Sequence, residues 1–184
     1  PKKVDKILPD THIGFDLEAT ASLLTHYSNA LGVCCSIIDT AGSLLFSTEE
    51  TDDHCLFCQK VQNLWGGSVH CDHAHLYGSY QAERYGGKYI FYCPIGLVHW
   101  SAPIIKDGML VGAILGGPVL VDEPDDFITN FFQKNKLSPE QKSDFYEALN
   151  SLKREDTGRL DSYVEMLHLI AEKISAMHTD VEQD

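Results

Sequence analysis

Residues 88–115 read KYIFYCPIGLVHWSAPIIKDGMLVGAIL. Three apolar runs rich in β-branched and aromatic residues fill this segment, which is the composition of buried strands. Lys106-Asp107-Gly108 supplies a tight turn between the last two runs. We therefore predict an antiparallel meander of three strands, at 88–94, 97–105 and 109–115.

The residues before this meander predict a helix followed by a tight hairpin. Asp16 can cap the helix and Gly32 can end it, and apolar residues recur between them at helical spacing. Two strands, at 33–39 and 43–48, flank a turn at 40–42. Such an opening resembles that of PAS and GAF sensory domains. We therefore predict an α+β fold, a PAS-like five-stranded antiparallel sheet with flanking helices on one side.

The remaining segments are assigned from their composition and periodicity. Residues 49–67 are irregular and predict an inserted loop. Helices are predicted at 68–86, 124–135, 138–152 and from 157 onward, and Ser138 is a good N-cap for the third of them. We divide the chain into a linker at 1–14, a sensor domain at 15–156 and a C-terminal signalling helix at 157–184.

The C-terminal helix carries the most regular apolar pattern in the chain. Its apolar residues recur at spacings of three and four: Leu160, Tyr163, Leu167, Ile170, Ile174, Met177 and Val181. Such a seam packs either on the helix's own domain or on the same helix of a second chain. Because charged residues occupy the other faces, we favour a parallel homodimer whose helices continue into an output module.

The charge and hydropathy of the chain exclude two classes of partner. The net charge is −13, with 27 acidic and 14 basic residues, whereas binding to a phosphate backbone needs clustered Lys and Arg. No apolar stretch reaches membrane-spanning length, and no signal peptide is visible. We expect a cytoplasmic domain without direct contact to nucleic acid or membrane, with a secreted disulfide protein as the alternative.

Four cysteines form the sharpest local motif, Cys55-x2-Cys58-x12-Cys71-x21-Cys93. Two thiolates separated by two residues can reach one metal ion from a single loop, and two more can complete a tetrahedral zinc site. An iron–sulfur cluster, a disulfide switch and a set of buried structural thiols are the alternatives. The motif therefore predicts either a metal centre or packing, and the spacing alone leaves the choice open.

Other cysteines and histidines near this motif have simpler interpretations. Cys34-Cys35 lies inside a predicted strand, where neighbouring side chains point to opposite faces, so the pair is predicted to pack. His54 or His75 can replace one of the thiolate ligands. Histidines in such positions are more commonly surface residues than metal ligands.

Aromatic residues around Cys93 predict a small-ligand pocket over one face of the sheet. Tyrosine and tryptophan rings can line such a pocket and offer polar handles, although core packing explains most of them equally well. Alternation along 97–105 places His99 and Ser101 on one face, opposite Trp100. The candidate ligand-binding residues are Tyr80, Tyr92, His99, Trp100, Ser101 and Gly116.

Several of these residues belong to a pattern that resembles the PocR sensory-domain family. The pattern runs in the family's order through Phe57-Cys58, Cys71, the segment YCPIGLVHWSAPI at 92–104 and Gly116-Gly117. The resemblance covers roughly residues 15–175, and it implies a PAS-like sensor. Such sensors stand ahead of a DNA-binding, histidine-kinase or cyclic-nucleotide output module and sense small hydrocarbon derivatives such as propanediol or glycerol.

The resemblance carries over to individual residues. Cys58, Cys71 and Cys93 match the family's cysteines, and Cys55 is the candidate for a fourth member. The chain departs from the family at Pro94-Ile95, where His-Ala is common, and at Pro118, where Gln is common. If those positions touch the ligand, its identity differs from the family's example.

The leading hypothesis is a non-enzymatic sensor that binds a small alcohol, diol or hydrocarbon derivative. A ligand that favours one of two helix arrangements by a few kcal/mol is enough to switch an output. A second hypothesis makes the four cysteines a metal or iron–sulfur redox sensor. A third is a thiol-based reductase, similar to the GAF-like methionine sulfoxide reductases.

Overall fold

The structure is a computed structural model that describes residues 13–48, 56–64, 71–94, 96–122 and 125–177. Most of the predicted linker, residues 1–12, lies outside this range. The described residues form α1 (Leu17–Leu31), β1 (Cys35–Ile38), β2 (Leu44–Ser47), α2 (Leu56–Leu64), α3 (Cys71–Arg84), β3 (Tyr89–Tyr92), β4 (Val98–Lys106), β5 (Met109–Val119), α4 (Asp125–Asn135), α5 (Pro139–Asn150) and α6 (Thr157–Ala176).

The five strands form one antiparallel sheet in the order β2-β1-β5-β4-β3. The meander β3-β4-β5 is joined to the hairpin β1-β2 by the pairing of β1 with β5, in which Cys35 lies opposite Gly116. The predicted α+β fold with a five-stranded antiparallel sheet is therefore confirmed.

Helices cover both faces of this sheet. On one face Ile37, Trp100 and Ile114 join a core with residues of α1 and α6. On the other face Ile38 and Leu115 pack in a second cluster, beneath α3. The prediction of helices on one side is wrong, because neighbouring strand residues are apolar on both faces and each face needs a cover.

The segment predicted as an inserted loop at 49–67 contains helix α2. Phe57, Cys58 and Val61 are buried in a separate cluster that α2 forms with α4 and α5. Their spacing of one, three and four residues is that of a helix face. Helix α2 has only nine residues. The polar residues on either side of it therefore obscure its apolar pattern in the sequence.

The helix ends follow the capping residues. Asp16 accepts a hydrogen bond from the amide of Ala19, and Gly32 ends α1 in the left-handed conformation. Ser138 caps α5 in a capping box with Gln141. These predicted boundaries are confirmed.

The apolar seam of α6 packs on the protein's own sheet. Leu160, Tyr163, Leu167 and Ile174 are all buried in the core shared with α1 and β4. Assigning this seam to a dimer interface is therefore wrong for the described residues, and Val181 lies outside them. Homodimer formation as such, and a domain boundary at residue 157, stay predictions. None of the helices described has both the length and the apolar character needed to span a bilayer.

Candidate functional site

The clearest sign of a ligand site is a buried hydroxyl group. Ser101 on β4 is fully buried, and its Oγ has no hydrogen-bond partner among the described residues. A buried polar group left unpaired costs about 1–3 kcal/mol, so nearly all such groups are paired. Its cross-strand neighbours Tyr89 and Leu115 belong to the cluster beneath α3, so the hydroxyl faces that helix.

Aromatic rings lie beside Ser101 on the same face. His99 is two residues away on β4, and its ring stacks on Phe91 with centroids 5.7 Å apart. The His75 ring on α3 approaches the His99 ring to 4.9 Å. Imidazole rings can donate and accept hydrogen bonds. The contact region between α3 and β4 thus combines an apolar floor with three polar side chains.

Helix α3 approaches this floor closely because of a glycine. A Cβ atom at Gly78 would lie 2.4 Å from Cε1 of Phe91, far inside van der Waals contact. Glycine inside a helix costs stability relative to alanine. Gly78 therefore marks a place where the helix backbone must lie directly on the Phe91 ring.

The six predicted ligand-binding residues fall into three places. His99 and Ser101 share the face beneath α3. Trp100 and Gly116 lie on the opposite face, where a Cβ at Gly116 would be 2.4 Å from Nε1 of Trp100. Tyr80 and Tyr92 are on the outside, 46 % and 61 % exposed. The structure therefore does not bring all six to one place, and the ligand-binding role of each stays a prediction. His99 and Ser101 are the pair on the face beneath α3.

Three residues of this region are absent from the predicted ligand site. From sequence, His75 is assigned only as an alternative metal ligand, and Gly78 is not singled out. Phe91 is one of the aromatic residues around Cys93 that either line a pocket or pack in the core. The glycine in the middle of a predicted helix is the signal that could have pointed to a close approach of the backbone.

A chain of buried and partly buried hydrogen bonds lies on the opposite face of the sheet. Trp100 Nε1 donates to the Tyr27 hydroxyl at 3.0 Å, and that hydroxyl donates to the carbonyl oxygen of Tyr163 at 2.6 Å. The Tyr163 hydroxyl in turn donates to Oε2 of Glu155 at 2.6 Å. Burial raises the pKa of Tyr27 above its usual range, so its phenol stays neutral. The hydrogen bond from Tyr163 holds the pKa of Glu155 below its ordinary value, with Arg159 and Lys153 assisting.

This carboxylate gives a pH-dependent prediction. The Glu155 pKa is lower in the folded than in the unfolded state, so its stabilising effect is present above the ordinary glutamate pKa and is lost as the pH falls through the folded value. Tyr163→Phe removes the hydroxyl that donates to Glu155, and we expect a loss of about 2 kcal/mol in unfolding free energy at neutral pH. The loss should shrink on acidification below about pH 4.

Urea unfolding at a series of pH values measures this difference. Tyr146→Phe is the matched control, because Tyr146 is 45 % exposed on α5. A difference between Tyr163→Phe and the wild type that stays constant with pH would contradict the proposed role of Glu155.

Two of the four motif cysteines lie in one buried cluster. Cys58 on α2 and Cys93 after β3 are both packed among residues of α2, α4 and α5. Cys71 begins α3, but its side chain lies outside the described part of the structure, as do Cys55 and His54. Among the side chains described, no group of three or more His, Cys, Asp or Glu is placed to hold a metal ion.

Cys35 has the packing role predicted for it. It is buried in the core between the sheet and α6, and burial raises the pKa of its thiol above its usual range. The thiol therefore stays protonated and behaves as a small apolar side chain.

A cavity of about 540 Å³ opens at the ends of α3 and α6. Gly87 and His168 line it, and Nδ1 of the imidazole donates to the Gly87 carbonyl oxygen at 2.8 Å. Since this imidazole already has a hydrogen-bond partner, whereas the Ser101 hydroxyl has none among the described residues, the cavity is a weaker candidate than the region around Ser101.

Solved structures of regulator domains are similar to this chain in outline. One is the C-terminal domain of a protein described as a transcriptional regulator from Vibrio cholerae, with 14 % identity, a TM-score of 0.43, and coverage of 89 % of this chain and 97 % of that one. Another, an IclR-family regulator from Rhodococcus sp., has 16 % identity and a TM-score of 0.44, with 86 % of this chain and 62 % of that one covered. Similarity at this level carries no argument about function.

The sequence comparisons are more specific. No curated protein matches the chain. The family model described as the sensory domain found in PocR matches residues 14–179, which is nearly the whole chain. The chain therefore belongs to the PocR sensory-domain family.

Proposed function

We propose that this sensory domain binds a small organic molecule with at least one hydroxyl group between α3 and β4. The observation that carries the proposal is the buried Ser101 Oγ, which has no hydrogen-bond partner in the described structure. A ligand hydroxyl can both donate to and accept from this group, which would remove the cost of leaving it unpaired.

The surroundings of Ser101 favour a small and mostly apolar ligand. Phe91, Ala113 and Leu115 offer carbon surface on the sheet, and the ring of His99 stacks over part of it. Since α3 lies directly on Phe91 through Gly78, little depth remains between helix and sheet. A short alcohol, a diol or a similar hydrocarbon derivative suits both the apolar floor and the polar handles.

The proposal extends to the context of the domain. We propose a non-catalytic, cytoplasmic sensor in a bacterial regulator, whose output module is a kinase, a DNA-binding domain or a cyclic-nucleotide domain. Membership of a family named for sensing supports this role. The net charge of −13 supports the view that nucleic acid, if bound, is bound by another module.

Ser101→Ala should have opposite effects on the free and the ligand-bound protein. Removing an unpaired buried hydroxyl is expected to raise the unfolding free energy of the free domain by about 1 kcal/mol. Losing the hydrogen bond to the ligand is expected to weaken binding about tenfold. Thermal unfolding with a panel of short alcohols and diols, including propanediol and glycerol, measures both effects.

Ser79→Ala is the matched control for this substitution. Ser79 is equally buried, but its hydroxyl donates to the carbonyl oxygen of His75 at 2.9 Å, so its removal should destabilise the free domain slightly. If no compound stabilises the wild type, or if Ser101→Ala binds as tightly as the wild type, the proposed site is wrong.

A second candidate function uses the motif cysteines as a redox or metal sensor. The observation in its favour is that Cys58 and Cys93 are far apart in sequence yet buried in one cluster. Together with Cys55 and Cys71 they would supply four thiolates for zinc or an iron–sulfur cluster, which would tie α2 to the start of α3. Metal-free, colourless protein with unchanged stability after anaerobic purification would contradict this candidate.

A further inference from the structure

We propose that Trp100 and Tyr27 transmit the occupancy of the Ser101 site to helix α6. The inference rests on the proposed function, because it concerns what happens after a ligand binds at Ser101. It adds a route to the other side of the sheet, from β4 through α1 to the backbone of α6.

The first step of this route is the geometry of β4. Ser101 and Trp100 are adjacent residues of the strand, so their side chains point to opposite faces. Ser101 faces α3, whereas Trp100 is fully buried between the sheet and α6. A ligand that shifts or rotates the strand at Ser101 must therefore also move the indole ring.

The second step is the tight packing around the indole. Gly116 lies so close to the ring that a Cβ there would be 2.4 Å from both Nε1 and Cε2 of Trp100. The Tyr163 ring packs nearby, with centroids 6.1 Å apart. Close-packed interiors transmit displacements rather than absorb them, so movement of the indole reaches α6.

The third step is a hydrogen-bond chain whose direction is fixed by chemistry. An indole nitrogen can only donate, so the Tyr27 oxygen must accept from Trp100 and donate its own proton onward. The acceptor is the carbonyl oxygen of Tyr163, in the first half of α6. Both rings are buried, so leaving either donor unpaired is costly, and the three groups are expected to move as a unit.

The fourth step is the position of Tyr163 on α6. The hydroxyl of this residue holds Glu155, just before the helix begins, and Lys153 pairs with the same carboxylate and with the carbonyl oxygen of Leu31 at the end of α1. A displacement at Tyr163 is thus shared by α1 and by the start of α6. Helix α6 is the described element that leads toward the C-terminal end of the chain.

Tyr27→Phe tests this inference, because it keeps the ring and removes both hydrogen bonds of the hydroxyl. Hydrogen exchange is followed by mass spectrometry in the full chain, with and without propanediol as the probe. In the wild type we expect the probe to slow exchange both in α3 and β4 and in α6. In Tyr27→Phe we expect the protection of α3 and β4 to remain and that of α6 to be lost.

A matched control separates transmission from a general loss of stability. Val164→Ala truncates a buried residue of α6 that lies next to Tyr163 in sequence but outside the hydrogen-bond chain, and it should keep the response of α6. Protection of α6 in Tyr27→Phe equal to that in the wild type would overturn the inference and leave the site intact. Absence of protection around α3 and β4 in the wild type would overturn the proposed function, and the inference with it.

Discussion

Replacing Trp100 with alanine should lower the free energy of unfolding by about 4 kcal/mol. The side chain is fully buried between the sheet and α6, and it is the largest residue in that part of the core. Its loss leaves a cavity beside Gly116 and removes the hydrogen bond to Tyr27. For a domain whose total stability is of the order of 5–15 kcal/mol, this loss is roughly a quarter to four-fifths of the total.

Urea unfolding followed by far-ultraviolet circular dichroism measures this loss without relying on tryptophan fluorescence. Tyr92→Ala is the control, because it truncates an aromatic residue on the neighbouring strand β3 that is 61 % exposed. It should change the unfolding free energy by no more than about 0.5 kcal/mol. Equal losses for the two variants would contradict the assignment of Trp100 to the core and return it to the list of pocket residues.

Gly78→Ala should destabilise the domain by roughly 1–3 kcal/mol, the cost typical of overpacking a core. Helix propensity alone predicts the opposite sign, since alanine is favoured over glycine inside a helix by about 1 kcal/mol. The new methyl group would meet the ring of Phe91, which is stacked against the rings of Tyr89 and His99. Helix α3 must then lift from the sheet, which should also weaken ligand binding.

The same substitution at Gly158 is the control. This glycine is in the first turn of α6, where an added Cβ would meet only the side-chain oxygen of Asp156, at 3.3 Å. We expect Gly158→Ala to be neutral or stabilising in the same urea experiment. If Gly78→Ala were also stabilising, α3 would not lie on the Phe91 ring, and the proposed site would lose its cover.

Local signals in the sequence predict most of the fold. Lys106-Asp107-Gly108 places the turn between β4 and β5, and Asp16 and Gly32 bound α1 through the chemistry of helix caps. These features depend on a few neighbouring residues, so they can be read without knowledge of the tertiary structure. The same holds for Ser138 at the start of α5.

Features that depend on distant contacts are harder to predict. Gly116-Gly117 looks like the end of a strand, yet β5 continues to Val119, because Val119 pairs with Val98 on the neighbouring strand β4. The apolar seam of α6 fits a dimer interface as well as it fits the core of its own domain. The contact of α6 with the sheet decides between the two, and the sequence of the helix does not contain that contact.

The candidate site likewise has some features that depend on neighbouring residues and others that depend on distant contacts. Strand alternation is a local rule, and it correctly places His99 and Ser101 together and Trp100 opposite. The unpaired state of the Ser101 hydroxyl depends on every residue that surrounds it, so no sequence pattern encodes it. The bond from Tyr27 to Tyr163 joins residues 136 positions apart, and neither residue carries a local sign of it.

A crystal structure of the purified domain with bound propanediol, with anomalous scattering recorded, is the most direct test of the central claim. The account predicts density for the ligand between α3 and β4, with an oxygen atom within hydrogen-bond distance of Ser101 Oγ. A ligand bound elsewhere, beside an empty and dry space at Ser101, would contradict it. So would an anomalous peak at Cys58 and Cys93 in a protein that binds no alcohol or diol at all.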